Sequence, residues 1–147
     1  MEQRWFCEGM IEMKNYLIIL LLFLSIGCSQ KEYDIKQIVK RDGVYYPEFN
    51  DEDLNGRVYE MFGFKKVYMG IIKNGKQDGL WTDWYENGQK SSEVTYKDSK
   101  KDGLYTGWYE NGKKERENTY KDGEFIDSIC WDRYGNECEC SEYGSCK

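Results

Sequence analysis

Most of the covalent chemistry open to this chain resides in six cysteines, Cys7, Cys28, Cys130, Cys138, Cys140 and Cys146. An even number of cysteines in an exported chain reads first as disulfides, and the last four permit three pairings. Cys138 and Cys140, with a single residue between them, are each expected to pair outward rather than with the other. Cys130 with Cys138 or Cys140 would staple a last hairpin against fraying. A zinc site made by all four is the sharper alternative, but the C-x-C spacing lacks the C-x2-C of such sites, so no metal is expected. Free thiols are the third reading.

Other candidate chemistry is thin. The chain has no His, which removes the commonest general base and the commonest metal ligand together. Glu115/Glu117 and Glu137/Glu139 are acid pairs of the kind glycosidases use, but 33% of the residues are charged, so such pairs recur on any solvated face. Ser91-Ser92 has no general base nearby in sequence. No catalytic residue, cofactor or enzymatic activity is expected.

The N-terminus reads as a targeting segment. Lys14 precedes an unbroken apolar run, Leu17–Leu24, which ends in Ser25-Ile26-Gly27-Cys28. The run is short of the roughly 20 residues that span a bilayer, and it fits the apolar core of a secretory signal covering residues 1–27. Glu2, Glu8 and Glu12 put acid where such a signal should be basic, so translation is expected to start at Met13. Cys28 directly after Gly27 resembles the lipobox of bacterial lipoproteins, although Ser25 stands where Leu is more usual. That resemblance implies cleavage before Cys28, acylation of its sulfur and new amino group, and localisation in the cell envelope. Two or three acyl chains suffice for stable anchoring. Ser29–Asp34 then reads as a polar tether within a segment, 28–40, that also holds a first strand.

Charge narrows the partners. The formal net charge is −6, with both signs interleaved. From Cys28 onward, Arg4, Lys14, Glu2, Glu8 and Glu12 drop out, leaving 24 acidic against 19 basic residues and a net of −5. There is no basic patch to neutralise phosphates, so nucleic acid is not an expected partner, and anionic lipid would repel the acidic body. Ala is absent, aromatic residues make up 16% of the chain, and Gly is frequent. This mixture favours strands and turns over helices.

The body of the chain repeats. Gly79 onward reads GLWTDWYENGQKSSEVTYKD, and Gly103 onward reads GLYTGWYENGKKERENTYKD. Each unit predicts a strand over Trp81–Tyr85, a turn at Glu86-Asn87-Gly88 and a returning strand over Lys90–Lys97, with the second unit 24 residues on. A degenerate unit begins at Gly56, and Asp127–Cys140 reads as a partial last unit or cap. Upstream, Ile35–Lys40 and Val44–Tyr46 flank Asp42-Gly43, a strong hairpin signal. Pro47–Asn55 reads as a polar, acidic loop. Repeats of this length bury their apolar faces by stacking on one another and offer surfaces to partners.

The pattern G-x-x-x-x-W-Y-E-N-G-x-K followed by Y-K-D resembles the bacterial variant of the MORN repeat, in particular proteins grouped as YwqK-family antitoxins. The ending from Cys130 to Glu137 is similar to the way members of that group finish. The likeness covers about Asp42–Cys140. It implies an all-β fold of stacked antiparallel hairpins in one elongated, twisted single-layer sheet. On this reading, residues 41–127 form the repeat domain and 128–147 a cysteine-containing cap.

Alternation puts Leu80, Thr82 and Trp84 beside Leu104, Thr106 and Trp108 on one uncharged face, assigned to the core. The opposite face carries Trp81, Asp83, Tyr85, Tyr105, Gly107 and Tyr109, and its aromatic and charged members are the candidate binding residues. The expected function is that of a non-catalytic, lipid-anchored module that binds another protein, antitoxin-like or immunity-like. The alternative is a module for a small ligand or an envelope glycan.

Overall fold

Eleven strands and one 3₁₀ turn make up the described residues, 30–141 and 146–147, of this computed structural model. The expected leader and Cys28 lie outside them. In chain order the elements are β1 (Glu32–Asp34), the 3₁₀ turn Ile35–Gln37, β2 (Ile38–Arg41), β3 (Val44–Pro47) and β4 (Gly56–Phe62). They continue with β5 (Lys65–Lys73), β6 (Lys76–Trp84), β7 (Lys90–Lys97), β8 (Lys100–Trp108), β9 (Lys114–Lys121), β10 (Glu124–Trp131) and β11 (Glu137–Cys138). Nine strands form one sheet in the order β1-β4-β5-β6-β7-β8-β9-β10-β11. From β4 on, every neighbour is the next strand in sequence and antiparallel, so the fold is a row of successive hairpins. The exception is β1, which adds parallel to β4.

Turn chemistry sets this rhythm. Asp42-Gly43, Asn74-Gly75 and Asp122-Gly123 each place two successive residues at positive φ, as a type I′ hairpin turn requires. Asp98-Ser99 does the same with a serine at φ 63. Ser99 is tied there by its neighbours: its Oγ accepts from the Gln77 N–H at 3.0 Å and its N–H donates to the Gln77 carbonyl at 2.9 Å. The strand expected from Ile35 begins instead at Ile38. Asp34 accepts from the Lys36 N–H at 3.0 Å and draws the intervening residues into the 3₁₀ turn.

The core lies at the N-terminal end of the sheet and comprises Leu54, Val58, Ile72, Trp81 and Val94. Ile35, Ile38 and Tyr45 pack onto it, so the β2–β3 hairpin covers this part of the sheet. Backbone hydrogen bonds hold the cover: Tyr45 N–H to the Gly75 carbonyl at 2.7 Å, and Gly75 N–H to the Leu54 carbonyl at 2.9 Å. Leu54 belongs to the loop that reads as polar, yet it is fully buried.

This cover reverses the expected faces. Trp81 is 5% exposed, whereas Leu80 and Leu104, assigned to the core, are 56% and 48% exposed. Apolar side chains alternate onto both faces of each unit, and only the Trp81 face receives the β2–β3 hairpin. Trp81 is therefore corrected from a binding residue to a core residue. Thr82 and Thr106 are buried as expected, but by flanking side chains; the Thr82 hydroxyl reaches Glu93 at 3.3 Å.

The ladder between β5 and β6 is short. These strands are paired only from Lys73↔Lys76 to Ile71↔Asp78. Gly79 then turns through φ 78, and β6 goes on to pair with β7 as far as Trp84↔Lys90. Trp81 sits in the resulting fork. Its indole N–H donates to the Ile71 carbonyl at 3.1 Å, and its ring lies so close over Gly70 that a Cβ there would stand 2.5 Å from it.

Candidate functional site

The open face of the repeats is tiled. Register and alternation place Leu80, Thr82 and Trp84 beside Leu104, Thr106 and Trp108, with Ile129 and Trp131 of the last hairpin continuing the rows. Leu80, Leu104 and Ile129 are exposed. Between the tryptophans lie lysines: Lys90 sits 5.7 Å from the Trp108 ring centre, and Lys114 sits 5.6 Å from that of Trp131. Lys90 pairs with Glu93, and Lys114 with Glu117 at 2.5 Å. Residues three apart on a regular strand point to opposite faces. Here a register shift at Asp83/Trp84 and again at Gly107/Trp108 adds a residue to the returning strand and brings each Lys and Glu to one side. The face thus offers half-buried tryptophans, exposed aliphatics and balanced charge.

The turns form a second structure, stitched from unit to unit. Within each turn, Gly88 and Gly112 take φ 82 and 79, and the Asn87 and Asn111 Oδ1 atoms accept from the N–H groups of Gln89 and Lys113. The same asparagines reach forward with their amides. Asn87 Nδ2 donates to the Glu110 carbonyl at 3.1 Å, and Asn111 Nδ2 to the Arg133 carbonyl at 3.0 Å. The tyrosines do likewise: the Tyr85 hydroxyl reaches the Trp108 carbonyl at 2.6 Å, and the Tyr109 hydroxyl reaches the Trp131 carbonyl at 2.9 Å. Burial holds both phenols above their ordinary pKa, so they remain donors. The sequence marks Asn87 and Asn111 as turn residues only. Their forward bonds show a second task.

The last turn keeps the fold and drops the stitches. Asp132 donates its N–H to the Asn136 carbonyl at 2.8 Å, matching Tyr85 with Gln89 and Tyr109 with Lys113. By that alignment Asp132 replaces the tyrosine and Tyr134 the asparagine. Asp132 Oδ1 turns inward, accepting from the N–H groups of Tyr134 at 2.8 Å and Asn136 at 2.9 Å. Hydrogen bonds from Asn136 and its neighbours hold this carboxyl below its usual pKa.

Of the candidate binding residues, Trp81 is in the core, and Tyr85 and Tyr109 are inter-unit stitches. Tyr105 is half-buried against the core, with Lys101 and Arg116 over its ring at 5.0 and 5.5 Å. Asp83 is exposed and accepts from the Ser92 hydroxyl at 2.9 Å. These five do not form one exposed surface. The four C-terminal cysteines form two disulfides, Cys130–Cys140 and Cys138–Cys146, each pairing outward from the C-x-C. Cys130 is fully buried and Cys140 approaches the Ser128 hydroxyl at 3.3 Å.

Hairpins stacked through their turns, with a repeating surface on one face, define a repeat protein of the β-hairpin class. The family model for the MORN repeat variant matches residues 77–98 and 101–122, the two units that contain Tyr85, Asn87, Tyr109 and Asn111. No curated protein and no solved structure matches the chain.

Proposed function

We propose that this protein is a non-catalytic interaction module, held at a membrane by acyl chains on Cys28, that captures another protein on the face of Leu80, Leu104, Trp108 and Ile129. The observation that carries this reading is the exposure of Leu80, Leu104 and Ile129 on one face of three hairpins, the two leucines in one row and Ile129 in the neighbouring row of Thr82 and Thr106. Exposed aliphatics beside half-buried tryptophans and rimmed by paired charges have the make-up of a protein-binding patch. The likeness to YwqK-family antitoxins favours an antitoxin-like or immunity-like role. An acyl anchor in the envelope would keep the chain from a cytoplasmic toxin, so the partner belongs to the envelope.

Site-specific photo-crosslinking in the native host tests this. A crosslinker at Leu104 should capture one envelope protein, and one at Asp83 on the opposite face should not. Capture from neither position, or retention on peptidoglycan that Leu104→Glu abolishes, would replace the protein partner with a glycan. Acyl labelling that survives Cys28→Ser would remove the anchor from the proposal.

A further inference from the structure

The stitches that join successive turns have no counterpart at the first repeat turn. Trp84 and Glu86 hold the places of Trp108 and Glu110, whose carbonyls accept from the Tyr85 hydroxyl and the Asn87 amide. Among the described residues, no side chain donates to the Trp84 or Glu86 carbonyl. The cause is upstream. Phe62 pairs with Lys65, so the β4–β5 turn is only Gly63-Phe64, whereas Tyr85 through Gln89 separate Trp84 from Lys90. The short turn contains no tyrosine and no asparagine to reach forward.

Space remains where the longer turn would lie. A cleft of about 580 Å³ opens there, its walls including Phe62, Lys65, Val67, Trp84 and the turn Glu86–Gly88. The β5–β6 pairing that would close it stops at Ile71↔Asp78, whereas β7 and β8 stay paired up to Ser92↔Gly107. Strand backbone on both walls is therefore unpaired across the cleft. The Trp84 indole N–H is also buried without a partner.

We infer that this cleft binds a hairpin turn of a partner protein that presents a tyrosine hydroxyl and an asparagine amide two residues apart, donating to the Trp84 and Glu86 carbonyls as Tyr85 and Asn87 donate within the stack. Open strand edges on both walls favour a polypeptide over a sugar, because a peptide backbone can pair with them. A second copy joined end to end is not the occupant. Its last turn carries Asp132 and Tyr134 at the two donor positions. The site adjoins the tiled face, with which it shares Trp84, but does not depend on that face binding anything.

The test titrates a cyclised peptide of residues 82–92, which contains the Tyr-x-Asn turn, into the protein and follows binding by calorimetry. Saturable binding below about 1 mM is expected. Tyr85→Phe or Asn87→Ala within the peptide should each weaken it by roughly two- to tenfold, the equivalent of one hydrogen bond. As an independent measurement, replacing Gly63-Phe64 in the protein with Tyr-Glu-Asn-Gly-Gln should fill the cleft from within, raise the thermal midpoint and abolish peptide binding. Absence of peptide binding to the unaltered protein overturns the inference. So does equal binding by the Tyr85→Phe and Asn87→Ala peptides, or displacement of the peptide by muropeptides with tighter affinity.

Discussion

The Tyr85 hydroxyl donates to the Trp108 carbonyl at 2.6 Å, spanning from one repeat turn to the next. Tyr109 repeats the bond to Trp131, and each tyrosine is accompanied by an asparagine amide. The turns therefore form a column of side-chain-to-backbone bonds beside the β-ladder. Tyr85→Phe removes one such donor, leaves the half-buried carbonyl unpaired, and should cost about 1–2 kcal/mol. Tyr109→Phe should cost a similar amount. Urea unfolding of the two single variants and the double variant measures both, and costs within about 0.3 kcal/mol of zero would show that the stitches contribute nothing to stability.

Trp81→Ala is predicted to destabilise by about 3–5 kcal/mol, because the indole fills the β5–β6 fork over Gly70 and no other side chain can replace it. Leu104→Glu should lie within about 0.5 kcal/mol of the parent, since Leu104 is 48% exposed. Denaturant unfolding separates the two. Similar costs for both would restore the uncharged face as the core. A loss of partner binding in Trp81→Ala would reflect unfolding and says nothing of a binding residue.

The repeat period, the returning strand Lys90–Lys97 and the Asn-Gly turns were legible in the sequence, because each depends on local chemistry written out twice. The buried face was not. Leu80 and Trp84 on one side look as apolar as Trp81 and Tyr85 on the other, and alternation alone cannot choose between them. The choice is made by Ile38, Tyr45 and Leu54, which arrive from a distant hairpin and loop. The stitching role of Tyr and Asn did leave a signal. Both recur in the two turns that have a successor, and both are replaced in Asp132–Asn136, which has none among the described residues.

Removing the Cys130–Cys140 disulfide as Cys130→Ala/Cys140→Ala should cost about 2–3 kcal/mol, as expected for a bridge closing a sequence separation of 10. Cys138→Ala/Cys146→Ala should cost less. Cys130 is fully buried and lies on β10 opposite Arg116, so losing its bridge also leaves a void beside the sheet. Thermal midpoints of the two double variants in the absence of reductant give the order. The reverse order would place the mechanical role on the terminal bridge.

Asp132 gives the C-terminal turn a pH signature. Its carboxyl is held below the usual range, first by the Asn136 side-chain amide and then by backbone N–H groups of Asn136, Tyr134 and Gly135. A group whose pKa is lower folded than unfolded contributes stability that is fully present above its unfolded value, about 4. That contribution is lost as the pH falls through the folded value. Glu32, held down first by Lys66 and then by Tyr68, and Asp102, held down by Lys121, act in the same direction. The thermal midpoint should therefore fall between about pH 5 and pH 2. Asp132→Asn keeps an acceptor in the turn but cannot titrate. It should start lower at neutral pH, show a shallower fall, and meet the parent curve at the acid end. Parallel curves for parent and variant across this range would show that Asp132 carries none of the acid sensitivity.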